Sequence, residues 1–172
     1  MPINKTEVDR RLILFKATLK ESGSKLTHQR LEIFRAIASS MEHPDAEAIF
    51  RTVQRRLPTV SLDTVYRTLW KLRDLGSIAT LGPRHESVRF DANLEHHHHF
   101  VCVRCGLARD FMSAQLSALR VPAAVRRLGS AVAVRADVYG VCDRCARREA
   151  AGQKRKQFPS YKRRKTSQEK RN

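Results

Sequence analysis

Two C-x-x-C pairs, Cys102-Val-Arg-Cys105 and Cys142-Asp-Arg-Cys145, stand 36 residues apart in this chain. A two-residue gap lets both sulfurs of a tight knuckle reach one ion at about 2.3 Å, so two knuckles make a tetrahedral Zn–thiolate site. The spacing exceeds that of a zinc ribbon, so the intervening segment must fold to bring the knuckles together. Two disulfides or a redox pair are the alternatives. Disulfides need an oxidising compartment, and the N-terminus offers only Leu12-Ile13-Leu14-Phe15 as an apolar run before Lys16. That is too short for a signal peptide, and a redox motif would not be duplicated this way. The expectation is a cytoplasmic protein with one structural Zn²⁺ on Cys102, Cys105, Cys142 and Cys145.

The charge is one-sided: 34 Lys+Arg stand against 17 Asp+Glu, a net +17. Residues 151–172 contribute nine basic residues and one acid, and the other 150 residues still carry +9. Such a body implies a polyanionic partner, nucleic acid first and an anionic membrane surface second. No apolar run approaches the roughly 18 residues that span a bilayer, which excludes a membrane protein. From Lys154 onward no periodicity survives, and a basic disordered tail is expected.

Hydrophobic spacing organises the rest. Val8, Leu12, Phe15 and Leu19 predict a helix over Lys5–Ser22, closing near Gly23. Thr27 caps a second helix with Leu31, Ile33, Phe34 and Ile37. Pro44 takes the first position of a third, which runs through Leu57 to Pro58. Ser61 caps a fourth, Leu62–Leu75, with Leu62, Val65, Leu69 and Leu72 inward. Two short strands, Ile78–Leu81 and Val88–Phe90, follow around a turn at Gly82-Pro83. Helices followed by a hairpin make a winged helix-turn-helix. The outer face of its fourth helix carries Asp63, Thr64, Tyr66, Arg67, Thr68 and Lys71, side chains suited to a major groove. A solvated helix face is the bland alternative. Lys25, Arg30, Ser61, Thr64, Tyr66 and Arg67 form the expected DNA-contacting set.

Beyond Asp91 the pattern turns to strands, at Phe100–Val103, Leu107–Phe111 and Ala131–Tyr139, with an amphipathic helix over Ala114–Leu128. The organisation expected is α+β. A winged-helix domain spans residues 1–91, a small dimerisation and metal-binding domain 92–150, and the tail 151–172. So small a second domain needs metal and a partner subunit to be stable.

Just before the first knuckle lies Glu95-His96-His97-His98-His99. Alternate residues of a strand share a face, so His97 and His99 can chelate one ion, with His96 and His98 as spectators. Asp91 and Asp110 are the nearby carboxylates for Fe²⁺, Mn²⁺ or Zn²⁺. A polar surface turn is the alternative.

Several stretches together resemble the ferric uptake regulator family of bacterial metal-dependent repressors over roughly residues 10–148. They are Leu26-Thr27-His28-Gln29-Arg30, His43-Pro44, Ser61–Leu69, Arg89-Phe90-Asp91, His97–Gly106 and Tyr139–Cys145. The resemblance implies a winged-helix domain joined to a dimerisation domain, with structural zinc on the four cysteines. It also implies an inter-domain regulatory site on His43, Asp91, His97, His99 and Asp110, holding Fe²⁺ or Mn²⁺. Aspartate at position 110 is similar to the peroxide-sensing branch. Ser117 and Val134 stand where many iron sensors carry an acid and a histidine of a third site. The implied function is a repressor that binds a double-stranded DNA operator as a homodimer and senses peroxide through iron-catalysed oxidation of His43 or His97. The nearest alternative is an iron-, manganese- or zinc-responsive repressor without oxidation. A non-haem iron enzyme lacks a visible substrate pocket, and a nucleic-acid packaging protein leaves the histidines unexplained.

Overall fold

The computed structural model describes residues 3–81, 88–131, 134 and 136–152. Four helices come first: α1 (Lys5–Glu21), α2 (His28–Ala38), α3 (Ala46–Gln54) and α4 (Leu62–Asp74). Each starts on a side chain that accepts from an otherwise orphaned N–H: Asn4 from Thr6, Thr27 from Arg30, Asp45 from Ala48 and Ser61 from Thr64. Thr27 and Ser61 cap as expected. In α3 the expected start at Pro44 gives way to Asp45 as cap. The Pro44 carbonyl instead accepts from the Phe90 N–H at 3.0 Å. The helix also ends at Gln54, leaving Leu57 in a turn-rich stretch before Pro58.

The apolar stripes meet in one core running from Phe15 to Ala92. Phe15 and Phe34 stack with ring centroids 4.1 Å apart. Val65, Leu69 and Leu72 of α4 are fully buried, each contributing about 1.5–3 kcal/mol. Burying that stripe leaves Asp63, Tyr66, Arg67 and Lys71 exposed on the opposite face. Gly76, at φ 70, turns the chain out of α4, a conformation that costs glycine little. β1 (Ala79–Leu81) then pairs antiparallel with β2 (Arg89–Asp91). Trp70 of α4 meets Phe90 of β2 edge-on at 6.1 Å, seating the hairpin as the wing. The expected turn at Gly82-Pro83 lies outside the described residues.

The second part is a three-stranded sheet ordered β4-β3-β5, from β3 (His98–Cys102), β4 (Ala108–Phe111) and β5 (Asp137–Gly140). β3 runs antiparallel to β4 and parallel to β5, and a parallel neighbour requires a crossover. The single helix expected over Ala114–Leu128 does not form in that crossover. Two single turns, α5 (Ala114–Ser117) and α6 (Ala123–Arg126), flank Val121-Pro122. A proline inside a helix lacks the N–H and clashes with the carbonyl four residues back, so the helix restarts with Pro122 at its cap. The strand expected from Ala131 narrows to β5: Ala131, Val134 and Ala136 precede it, and Val132 lies outside the described residues. A last helix, α7 (Asp143–Ala150), starts directly behind Cys142. The tail from Lys154 also lies outside the described residues. Among those described, no helix is long and apolar enough to cross a membrane.

Candidate metal centres and nucleic-acid face

The sheet delivers the two knuckles to each other. Parallel register puts Gly140 opposite Cys102, and a Cβ on Gly140 would fall 2.8 Å from Phe100 Cε2, so any larger residue would require the Phe100 ring to shift. In the first knuckle, Gly106 at φ 68 lets its N–H donate to the Cys102 carbonyl at 2.9 Å. In the second, the Cys145 N–H donates to the Cys142 carbonyl at 2.9 Å as α7 begins. The four sulfurs lie within 4.8 Å of one another. Cys105 Sγ and Cys142 Sγ are 3.8 Å apart, the edge of a tetrahedron with Zn–S bonds of about 2.3 Å. Burial pushes the Cys102 thiol up, but N–H groups of Cys142, Arg104 and Cys105 outweigh it and hold the thiol at about 6. Burial and the neighbouring sulfurs push Cys145 to about 12. Four sulfurs packed this closely can share one cation, and a closed all-sulfur set suits zinc.

A second cluster joins the wing to the sheet. Asp91 ends β2, His97 and His99 enter β3, and Asp110 lies on β4 opposite His99; their ligand atoms also fall within 4.8 Å of one another. His97 Nδ1 donates to the Glu95 carbonyl at 2.7 Å, which fixes its proton there. His99 Nδ1 faces Asp137 Oδ1 at 3.3 Å. With Nδ1 so engaged, each ring turns its Nε2 into the cluster, the two only 2.7 Å apart. Asp91 Oδ2 is 3.0 Å from one and 3.7 Å from the other, and Asp110 Oδ1 is 3.6 Å from each. Acceptors packed this closely need a proton or a metal among them. His97 accordingly has its pKa raised, chiefly by Asp91. Burial opposes ionisation of Asp91, yet His97, His99 and His43 hold its carboxyl well below the usual range.

His43 completes the edge of this cluster. Its Nε2 lies 2.5 Å from Asp110 Oδ1 and its Nδ1 3.7 Å from Asp91 Oδ1. His43 Nδ1 and Asp91 Oδ2 are both buried with no hydrogen bond of good geometry among the described residues, which suits atoms that can ligate an ion. His43 also sits at φ 44, the one non-glycine residue with positive φ among those described. Such a conformation costs on the order of 1–3 kcal/mol and concentrates at functional sites. A mixed nitrogen and oxygen set of this kind fits Fe²⁺, Mn²⁺ or Zn²⁺. His96 and His98 turn the other way, each bringing Nε2 to 3.2 Å from Ser117 Oγ.

Asp137 has no counterpart in the sequence-based set. Its only signal there is a carboxylate near the end of the β-branched stretch Ala131–Tyr139; its contact with His99 exists only through the parallel β3–β5 register. Asn93 is a second such residue: its N–H donates to Asp91 Oδ1 at 2.7 Å and its Nδ2 to Asp110 Oδ2 at 3.3 Å.

On the nucleic-acid face, Tyr66 and Arg67 are exposed on α4, with Arg67 Nε 3.0 Å from Asp63 Oδ2. The Ser61 hydroxyl is engaged in the cap with Thr64. Arg30 Nη1 donates to the Lys25 carbonyl at 2.5 Å, closing the turn before α2.

A sequence profile of the ferric uptake regulator family matches residues 21–129. The peroxide-responsive repressor PerR of Staphylococcus aureus is 33% identical over 129 residues, covering 75% of this chain and 87% of the relative. The chain belongs to the ferric uptake regulator family. It is a metal-responsive transcriptional repressor of that family, not an enzyme. Among solved structures, a zinc-bound manganese uptake regulator is 31% identical with TM-score 0.59, covering 74% of this chain and 98% of its own. The ferric uptake regulator of Francisella tularensis with iron is 26% identical with TM-score 0.61, covering 72% and 96%. The profile match ends before Cys142, so the pairing of the two knuckles rests on the geometry above.

Proposed function

We propose that this family member is a homodimeric repressor that senses peroxide at the His/Asp cluster, with zinc in the four-cysteine site. The observation that carries the metal reading is the meeting of two imidazole nitrogens and two carboxylates at the seam between wing and sheet. Residues 1–91 and 92–150 act as the two bodies of the switch, although the core of the first extends one residue further, to Ala92. His43 and Asp91 come from one body; His97, His99 and Asp110 come from the other. An ion held by all five selects one relative orientation of the reading heads. A coupling of about 1–3 kcal/mol changes operator affinity about 5–150-fold.

The second copy would cover the apolar side chains left exposed beyond the first knuckle. Leu119, Val125, Leu128 and Val138 are between 41% and 88% exposed, and among the described residues β5 lies at one side of the sheet. Exposed apolar groups gathered in this way are what a partner subunit buries. α4 enters the operator with Tyr66 and Arg67, supported by Lys25, Arg30, Ser61 and Thr64.

Support for the peroxide branch comes from the similarity to PerR and from aspartate at position 110. Ferrous iron, if bound, would activate peroxide at the site. The chain's part would be to hold the rings of His43 and His97 beside the ion. In net terms one oxygen atom of H2O2 would add to a ring carbon, the ring giving up two electrons, and the other oxygen would leave as water. The oxidised ring would be a poorer donor and the two bodies would come untied. The test is operator binding by protein loaded with Fe²⁺ or with Mn²⁺, before and after micromolar peroxide, followed by mass spectrometry of the histidine peptides. Loss of binding with a +16 Da (one oxygen) adduct on His43 or His97, for Fe²⁺ alone, is the expected result. Retained binding with unmodified histidines leaves the metal-responsive repressor without peroxide sensing.

A further inference from the structure

The segment before α3 carries His43 in a left-handed conformation, outside any helix or strand. Backbone pairing to β2 reaches only the residues after it, through Phe90 N–H to the Pro44 carbonyl and the isolated bridge between Asp45 and Arg89. Residues 41–43 are held by two guanidinium groups. Arg89 Nη1 donates to the carbonyls of Glu42 at 3.2 Å and His43 at 3.0 Å. Arg109 Nη1 reaches the Met41 carbonyl at 3.4 Å, while its Nη2 donates to Glu42 Oε1 at 3.0 Å. Three successive carbonyls, of residues 41, 42 and 43, thus end on arginine N–H groups. Each arginine comes from a strand that presents a carboxylate of the cluster: Arg89 lies two residues before Asp91 on β2, and Arg109 directly before Asp110 on β4.

We infer that Arg89 and Arg109 are positioning residues for the regulatory metal, clamping residues 41–43 so that His43 faces Asp91 and Asp110 before any ion arrives. The inference rests on the reading of His43, Asp91, His97, His99 and Asp110 as the metal set. The two clamps are not equivalent. Arg89 ties the His43 segment to the wing, within the N-terminal core. Arg109 reaches from β4 of the sheet to the loop that follows α2, so it spans the seam that the ion must close. A planar fork with several fixed N–H groups can hold two acceptors at once, which a lysine ammonium on a flexible stem does less well. The clamp offsets the strain at His43 in advance, so binding energy is not consumed in ordering the loop. It thereby sets the metal concentration at which the repressor closes.

The test uses the full chain with its four-cysteine site filled by zinc, titrated with Co²⁺ against a competing chelator. The Co²⁺ d–d band reports the nitrogen and oxygen site, and absence of thiolate charge-transfer bands confirms that the cysteines keep zinc. Arg89→Ala and Arg109→Ala should raise the Co²⁺ midpoint by about 10–100-fold, the range typical of outer-shell partners of metal ligands. Zinc content and the spectrum at saturation should stay as in the wild type. His43→Ala, by contrast, should change the saturated spectrum itself, because it removes a donor. Arg89→Lys and Arg109→Lys should recover part of the loss, and they carry the test if an alanine variant fails to fold. Arginine variants that keep the wild-type midpoint, or that alter the saturated spectrum, overturn the inference while leaving the metal centre standing. A wild-type protein that takes up no Co²⁺ beyond its zinc overturns the metal reading itself, and the clamp with it.

Discussion

His99 turns Nδ1 toward Asp137 Oδ1, 3.3 Å away on the neighbouring strand, and keeps Nε2 for the His/Asp cluster. The same residue faces Asp110 across β4. One imidazole is thus flanked by two carboxylates with different tasks: Asp110 lies within the candidate donor set, and Asp137 orients the ring. A carboxylate behind a ligating imidazole fixes its tautomer and raises its basicity. Asp137→Ala should therefore weaken uptake of the regulatory metal by about 10–100-fold, measured by chelator competition, while zinc content stays unchanged. Wild-type affinity in that variant would show the contact to be idle.

The cluster also carries a pH signature. Without metal, a proton on His97 screens Asp91 and Asp110, and Asp91 chiefly raises the His97 pKa above its ordinary value of 6.5. That stabilisation is complete below the unfolded value and is lost as pH rises through the folded one. The carboxylates, with pKa values held down, stay ionised throughout this window. Metal-free protein should therefore lose stability as pH rises above about 6.5, whereas an ion would take over the proton's role. The gain in Tm on adding Mn²⁺ should grow over that range. A gain that shrinks as pH rises would contradict the arrangement.

Loss of one zinc thiolate has a different consequence. Cys102 is fully buried at the end of β3, and its Sγ accepts from the Cys142 N–H at 3.3 Å. Cys102→Ser or Cys145→Ser should release zinc and leave the sheet unfolded or the protein monomeric, because folding and metal binding are coupled in so small a unit. Metal content together with sedimentation checks this. A zinc-free, stable dimer would count against a structural role for the site.

What the sequence made legible divides along physical lines. Helix starts at Thr27 and Ser61 could be read because capping is local, a matter of one side chain and the next turn. The knuckles and the alternating His97 and His99 are likewise short-range patterns. Pro122 broke a stripe that looked continuous, and there hydrophobic periodicity outweighed a backbone constraint that should have ruled. Asp137, Arg89 and Arg109 act through pairings 38 to 68 residues distant, and no spacing rule reaches that far. The left-handed backbone of His43 is equally invisible, since histidine carries no signature of positive φ in the way glycine does.

On DNA, Arg67 is the sharpest prediction. It is exposed and held by Asp63 at 3.0 Å, an i,i+4 pair on a solvated face that contributes little to stability. Arg67→Ala should thus leave Tm nearly unchanged while weakening specific operator binding by about 1–3 kcal/mol, if the guanidinium reads a base edge. Deleting residues 151–172 should instead lower affinity for all sequences alike and flatten the salt dependence, because those charges add only counterion release. Fluorescence anisotropy over a salt series separates the two effects. A truncation that lost only specific binding would refute this division.

Asp110→Glu discriminates between the two closest readings of the metal switch. Asp110 Oδ1 lies 2.5 Å from His43 Nε2 and 3.6 Å from Nε2 of both His97 and His99, and its Oδ2 accepts from Asn93. One more methylene keeps the charge but lengthens the arm, displacing the carboxylate from Asn93 and changing how its two oxygens face the ion. Charge complementarity and the histidines remain, so Mn²⁺ should still drive operator binding, with an affinity within about tenfold of the wild type. Reactivity toward peroxide depends on geometry at the ion far more than on net charge. Fe²⁺-loaded Asp110→Glu should therefore stay on its operator at peroxide concentrations that release the wild type, with less oxygen added to His43 and His97 by mass spectrometry. If the variant is released and oxidised as readily as the wild type, position 110 does not set peroxide sensitivity. If the Fe²⁺-loaded wild type itself stays bound and unmodified, the protein reports metal supply alone.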